Sequence, residues 1–402
     1  MITEYDACLK CSICELHCPV LRVEPRFPGP KNGGPGYERL RAAGQAVDES
    51  GLDFCLGCRT CEVVCPSGLH PATLVAKPKA RKVARHGLRF RDWLLTHPGL
   101  LGAVGVRLPS LTNTLLSWPV ARIGMDRAIR LDHRRPMPRY AGETFRAWFA
   151  RRPNPWGDCP APNGQVAYFH GCSVEYMLPE LGRQTVAVLE HNGFEVVLPP
   201  QRCCGLPLIG NGAVLAARPQ AEYNMAHLRP LVAKGIPVIF TSTSCSLTVK
   251  QEYYHLLALD GAAEVAAGCY DISEFLVSCL DRGILRTDFR AVAEMLPYHQ
   301  PCHQRAQGIG TPAIRLLRLV PGANTCNLDA GCCGASGTHG FKAEKYDLSM
   351  QVGEPLKTAI LETGAGRVAS DCEACRWQIE HATGTPAVHP VTVLWEAYGL
   401  GG

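Results

Sequence analysis

Short apolar runs recur through the C-terminal half of the chain, and each runs into a cysteine. Gln165–Cys172 reads QVAYFHGC and Gly235–Cys245 reads GIPVIFTSTSC; Leu296–His303 reads LPYHQPCH and Arg367–Cys375 reads RVASDCEAC. Runs of this length with few charges predict strands buried on both faces. Stretches such as Pro179–Gly193 (PELGRQTVAVLEHNG) and Thr311–Gly322 (TPAIRLLRLVPG) space their apolar residues for helices. That alternation predicts parallel sheets covered by helices, with the cysteines at the carboxyl ends of strands, where such folds collect ligands.

The middle of the chain has a different pattern. Lys77–Arg91 carries seven basic residues, and two uncharged runs follow, Trp93–Val106 and Leu108–Ala121, separated only by Arg107. Each run has 14 residues, too few to span a bilayer as a helix. Pro98, Pro109 and Pro119 break any longer helix. Apolar runs with Trp93 and Trp118, framed by Arg and Lys, fit helices lying in a lipid interface; the alternative is a helical linker buried on a partner protein. From Lys77 to Arg139 there are 14 Lys or Arg against 3 Asp or Glu, a net of +11 in a chain whose total is +5. Something anionic is expected to meet this segment.

Composition sharpens the picture. A length of 402 residues predicts two to four domains, and 46% hydrophobic residues suffice for packed cores. An odd 21 cysteines in a chain this long is not the disulfide framework of a small secreted domain. The opening MITEYDACLK has neither a basic nor an apolar signal region, so a reducing compartment is expected, where many thiols mean metal.

Two runs carry the strongest signal. CLKCSICELHCP places Cys8, Cys11, Cys14 and Cys18 before Pro19, and CLGCRTCEVVCP places Cys55, Cys58, Cys61 and Cys65 before Pro66. Both read C-x2-C-x2-C-x3-C-P, in which three thiolates wrap one cubane and the fourth serves the other. The expected ligand sets are Cys8, Cys11, Cys14 and Cys65 for one [4Fe-4S] cluster, and Cys55, Cys58, Cys61 and Cys18 for the second. Zinc is the competing reading, but two identical four-cysteine runs closed by proline argue against it. The 36 residues between the runs, rich in Gly and Pro, read as an insertion loop and docking surface.

A second cysteine unit occurs twice, about 130 residues apart. Cys172 aligns with Cys302, the doublet Cys203–Cys204 with Cys332–Cys333, and Ser242 and Cys245 with Cys372 and Cys375. The repeat implies two homologous modules, 164–290 and 291–402, behind a two-cluster domain at 1–76 and the basic, apolar segment at 77–157. The second module offers Cys302, Cys332, Cys333, Cys372 and Cys375, more thiolates than one cubane takes. Neighbouring thiols could each take a different iron, or one could bridge two. The first module keeps Cys172, Cys203, Cys204 and Cys245, with Ser242 where a cysteine is expected. It would hold a cubane, a cluster with an open or serine-ligated iron, or nothing. Cys159, Cys269, Cys279 and Cys326 read as ordinary buried thiols, and His170, His299 and His303 flank the first cysteines as candidates to orient thiolates or carry protons.

The repeated unit resembles the CCG domain of heterodisulfide-reductase-type proteins. With the N-terminal runs, and with Phe27–Lys31, Gly34–Pro35 and Glu38–Arg41, the whole chain resembles the iron–sulfur (C) subunits of the anaerobic glycerol-3-phosphate dehydrogenase family. That resemblance implies an α-helical bis-[4Fe-4S] ferredoxin-type domain followed by two α/β CCG modules, an α+β chain overall. It implies two cubanes and one or two further clusters, noncubane [4Fe-4S], in the modules. It further implies a partner flavoprotein that oxidises glycerol 3-phosphate, a second partner subunit, and menaquinone as acceptor. The chain would then sit peripherally on the cytoplasmic side of the inner membrane in anaerobic respiration. No flavin fingerprint G-x-G-x-x-G opens a βαβ unit and no P-loop occurs, so no catalytic residue for substrate oxidation is assigned, and no nucleic-acid partner is expected. Two other readings are a member of a heterodisulfide-reductase-like or glycolate or lactate oxidase complex, and a membrane anchor with vestigial clusters.

Overall fold

The computed structural model describes residues 4–157 and 159–401. The two N-terminal cysteine runs fold alike. Short helices Ile13–Leu16 and Thr60–Val63 hold the third cysteine of each run. The loop entering each helix makes the same two left-handed steps, at Lys10 and Ser12 (φ 58° and 64°) and at Gly57 and Arg59 (φ 66° and 57°). Those steps curl a C-x2-C backbone so that successive thiols converge.

The segment between the runs is no free docking loop. Gly33, Gly34 and Pro35 are buried, and a Cβ on Gly33 would stand 2.6 Å from the Leu52 side chain. The glycines let this stretch pack into the domain, against the helix Pro71–His86.

Helices Phe90–Leu95, Pro98–Arg107, Pro109–Ser117 and Pro119–Ile129 build the middle segment. Pro98, Pro109 and Pro119 each open a helix, the position where a missing N–H costs nothing. No helix among the described residues is long and apolar enough to cross a membrane. The second of these helices has two faces. Cβ atoms on Gly102 and Gly105 would lie 2.2 and 2.4 Å from the rings of Tyr176 and Tyr140, so the glycines allow it to lie flat on the protein. Leu100 and Val104, four residues apart, are exposed, as are Leu111, Leu115, Trp118, Val120 and Ile123 on the next two helices. The basic residues divide likewise. Arg91 pairs with Glu344 at 2.8 Å, and Arg122 and Arg135 are buried and donate to backbone carbonyls. Arg85, Arg89, Arg107 and Arg127 are exposed. Part of the positive charge therefore fastens the segment to the C-terminal half rather than meeting an outside anion.

That half has two parallel sheets. Strands β1 (Gln165–Phe169), β2 (Glu195–Val197), β3 (Val238–Phe240) and β4 (Cys269–Asp271) lie in the order β2-β1-β3-β4. Pairs β5 (Glu294–Met295) with β6 (Ala323–Asn324), and β7 (Val368–Ala369) with β8 (Ala387–Val388), are joined by bridges from Tyr298 to Asn327 and Ala369. This repeats the first order as β6-β5-β7-β8. The second sheet is more broken, with Pro297 unable to donate within it. After each first strand comes a helix, Pro179–His191 or Pro312–Leu317; after each last strand comes another, Ile272–Asp281 or Pro390–Ala397. The last helix of each module packs on the first helix of the other. Tyr168, Leu189, Ile239 and Phe275 thus share one core with Leu316, Val391 and Leu394. Each such side chain contributes roughly 1.5–3 kcal/mol on burial, so neither module is complete alone.

A polar network crosses the same junction. Ser273 Oγ donates to Asp371 Oδ1 at 2.7 Å, and the Tyr298 hydroxyl lies 2.6 Å from both Asp371 Oδ2 and Gln304 Oε1. Burial raises Asp371 above the ordinary carboxylate range. Burial likewise pushes Asp271 up to about 7. Because folded Asp271 holds its proton more tightly than the unfolded chain, it withdraws stability as pH rises from about 4 to about 7. Asp271→Asn keeps the helix cap without the ionisation. Urea denaturation of this variant across that window is expected to be flatter with pH than wild type.

Candidate metal centres

Seventeen of the 21 cysteines gather into four groups. In the N-terminal domain Cys14 lies within electrostatic reach of Cys8, Cys65 and Cys11. Cys61 lies within reach of Cys58, Cys55 and Cys18. Each group thus mixes three thiols of one run with the last thiol of the other. In the second module the sulfurs form a continuous chain of contacts: Cys302 to Cys332, Cys332 to Cys333, Cys333 to Cys375 at 3.2 Å, and Cys375 to Cys372. In the first module Cys172, Cys203, Cys204 and Cys245 make the same chain, one member short. All of these are free thiols, the two doublets included, among the described residues.

The donor sets fit iron–sulfur clusters. Burial pushes the Cys14 thiol up to about 11 and the Cys18 and Cys58 thiols up to about 12. Buried beside one another, such sulfurs become thiolates only when a cation in their midst cancels the charge. Five sulfurs in a chain of successive contacts, two of them on adjacent residues, exceed the four corners of a tetrahedral zinc site.

Two of the groups are neighbours across a domain boundary. Cys58 lies within electrostatic reach of Cys302, and Cys18, Cys55, Cys58, Cys302 and Cys332 share one packed cluster with Leu56 and Val352. The second N-terminal group therefore abuts the second module. His303 fastens this junction: its Nε2 donates to the Gly57 carbonyl at 3.2 Å, leaving Nδ1 to accept from Ser244 Oγ at 3.0 Å. Burial lowers His303 to about 4, so it stays neutral. His170 Nε2 is paired to Glu175 at 2.8 Å. His299 differs. Burial lowers it to about 3, its Nε2 has no hydrogen-bond partner among the described residues, and a ring nitrogen lies within 4.8 Å of the sulfurs of Cys333 and Cys375.

Sequence reasoning missed several partners. Glu373, inside the second C-x2-C, reaches across to the first module, where Ser173 Oγ and Ser242 Oγ donate to its Oε1 at 3.0 and 3.1 Å. Arg59, inside the second N-terminal run, pairs with Glu62 at 2.6 Å and with Glu252 of the first module. Nothing in the spacing marks either contact. Of the thiols outside the groups, Cys269 and Cys279 are buried, but Cys326 is half-buried and Cys159 is exposed in the proline-rich connector before β1.

A cavity of about 1060 Å³ opens beside the first-module group. Cys172, Cys203, Cys204, Cys245 and Glu373 line it, as do Leu95, Leu101, Met137 and Tyr140 from the middle segment, with Lys79, Arg89 and Arg139 among its charged residues.

The chain matches the 4Fe-4S dicluster domain over residues 4–69 and the cysteine-rich CCG domain twice, over 166–250 and 296–380. It is 38% identical to the C subunit of the anaerobic glycerol-3-phosphate dehydrogenase of Escherichia coli, over 98% of this chain and 99% of that one. It is 24% identical to the probable glycolate oxidase iron-sulfur subunit of Bacillus subtilis over 98% of this chain and 94% of that one. To the D subunit of the dihydromethanophenazine:CoB–CoM heterodisulfide reductase of Methanosarcina barkeri it is 24% identical, over 93% and 88%. The chain is thus an iron–sulfur electron-transfer protein with a ferredoxin-like domain and two CCG domains.

Cys61→Ser in the anaerobically isolated chain is expected to lower iron by about four atoms and remove one ferredoxin-type resonance. His299→Ala should leave iron content intact while changing the second-module spectrum. Iron analysis with low-temperature paramagnetic resonance reads both.

Proposed function

The chain belongs to the family of the anaerobic glycerol-3-phosphate dehydrogenase C subunits, and on that premise we propose that it carries electrons from a flavoprotein partner, which oxidises glycerol 3-phosphate, to menaquinone in a membrane. The observation behind this reading is the cavity. Its inner wall carries the first-module thiols, and its outer wall comes from helices whose other faces expose leucine, valine and tryptophan. A lipid-soluble two-electron acceptor needs such a place: apolar enough for its ring and tail, and open toward lipid.

Bound iron–sulfur clusters would supply one-electron transfer between a flavin and a quinone, each of which exchanges two electrons. We assign Cys8, Cys11, Cys14 and Cys65 to one cubane and Cys55, Cys58, Cys61 and Cys18 to the other. Cys302, Cys332, Cys333, Cys372 and Cys375 are assigned to a noncubane cluster in the second module, and Cys172, Cys203, Cys204 and Cys245 to a fourth centre in the first. On this reading the neighbouring thiol groups form the electron path. Electrons enter at the N-terminal domain, cross the Cys58–Cys302 contact and leave at the first module, which lines the cavity. The remaining residues position these groups. Arg59 ties the second cysteine loop to Glu252, and His303 holds Gly57 and Ser244 together. The flavoprotein and a second partner would dock on the N-terminal side, and the exposed arginines beside Leu100 and Leu111 would meet anionic headgroups on the cytoplasmic face.

Replacing Leu100, Val104, Leu111 and Leu115 with serine tests the membrane part. Four exposed aliphatic side chains entering lipid contribute several kcal/mol together, so vesicle binding is expected to weaken more than about 100-fold. Cluster spectra should stay unchanged, and added salt should weaken wild-type binding only in part. Unchanged vesicle binding would make this face a contact with a partner protein. Leu101→Trp, which narrows the cavity, is expected to slow reduction of a menaquinone analogue while leaving cluster reduction by dithionite intact.

A further inference from the structure

We propose that Glu373 of the second CCG module is an iron ligand of the first, supplying through its carboxylate the fifth ligand that Ser242 does not provide. The inference rests on the reading that the first module holds a cluster. In the second module five thiols touch in sequence; in the first, four do, and the fifth position carries the Ser242 hydroxyl. That hydroxyl is within hydrogen-bond reach of the Cys245 thiol. It also donates to Glu373 Oε1 at 3.1 Å, and Ser173 Oγ, beside Cys172, donates to the same oxygen at 3.0 Å. Both serines flank thiols of the first group, so the carboxylate is held at that group by two first-module hydroxyls. Glu373 lines the cavity together with all four thiols.

The chemistry selects Glu373 over Ser242. A neutral serine hydroxyl is a weak donor to iron, whereas a carboxylate offers a hard oxygen donor with a second oxygen to spare. Four thiolates and one carboxylate carry the same five charges as the five thiolates of the second module. With Oε1 occupied by two hydroxyls, Oε2 remains to bind metal. The fold makes the arrangement possible only because the modules are paired. Glu373 is the first residue of the helix Glu373–Thr383, whose cap is Cys372, so the turn that presents one module's thiol also presents the other module's carboxylate. An oxygen donor binds iron less tenaciously than a thiolate does, which makes this the exchangeable ligand on the cavity side.

The full chain, reconstituted anaerobically with iron-57 and examined by Mössbauer spectroscopy, tests the assignment. A subset of iron with an isomer shift above the all-sulfur sites is expected in wild type. It should vanish in Cys204→Ala, with a loss of about four irons. Glu373→Gln should move or abolish that subset at unchanged iron in the other three centres, and Glu373→Cys should shift it to all-sulfur values with iron retained. A Glu373→Gln spectrum identical to wild type would overturn the ligand, and so would a Glu373→Cys chain that keeps the oxygen-type subset. No loss of iron in Cys204→Ala would overturn the site itself. Loss of quinone reduction with these spectra as expected would instead count against the acceptor reading, and leave Glu373 in place.

Discussion

The cost of gathering thiolates in a low-dielectric interior is the constraint on which the rest of the structure depends. A buried thiol resists ionisation; where several touch, hydrogen bonds from neighbours let Cys333 and Cys372 ionise more readily while Cys302, Cys332 and Cys375 are pushed up, and only a polynuclear cation relieves all of them at once. The scaffold must hold these sulfurs together before the cation arrives, and it uses two devices. In the N-terminal domain, paired left-handed residues curl each C-x2-C so that successive thiols converge. In the modules, thiols sit just past the ends of parallel strands, where separate loops meet along one sheet edge. Both devices are local, which is why the cysteine spacing survives as a readable code.

What that code reveals is what short-range geometry dictates. The fold class was legible, because strand, cysteine and helix follow one another at fixed intervals and the unit occurs twice. The proline breaks of the middle segment were legible too, since Pro98, Pro109 and Pro119 each open a helix. The buried role of Gly33 and Gly34 was not. Glycine and proline between two motifs look the same whether a loop is free or packed against Leu52 and the helix at 71–86. The charge excess misled in part for a related reason. Composition counts Arg91, Arg122 and Arg135 as available, but folding spends Arg91 and Arg135 on Glu344 and the Gly340 carbonyl of the C-terminal half, and Arg122 on carbonyls of its own segment.

Contacts between modules were the least legible. Glu373 lies between Cys372 and Cys375, where a sequence reading sees only a spacer. Its partners Ser173 and Ser242 are 200 and 131 residues away. The exchange of terminal helices that pairs the modules leaves no periodic mark either, because each helix is amphipathic whichever module it covers.

Module pairing also bears on why the two copies differ. Were each module self-contained, loss of a cysteine from one would simply weaken it. Here the second module retains five thiols in a packed environment beside Cys58, Leu56 and Val352, suited to passing electrons without contact with solutes. The first has exchanged a thiol for a hydroxyl and borders the cavity under the apolar helices. On the proposed function, the substitution lies at the centre whose thiols line the acceptor's cavity, and the intact set does not line it. The repeat presents two similar sites, and packing one against the N-terminal domain and the other against the middle segment gives them different surroundings. On this view the serine is a feature of the cavity-lining site, and the helix that carries Glu373 across the interface is what makes it tolerable.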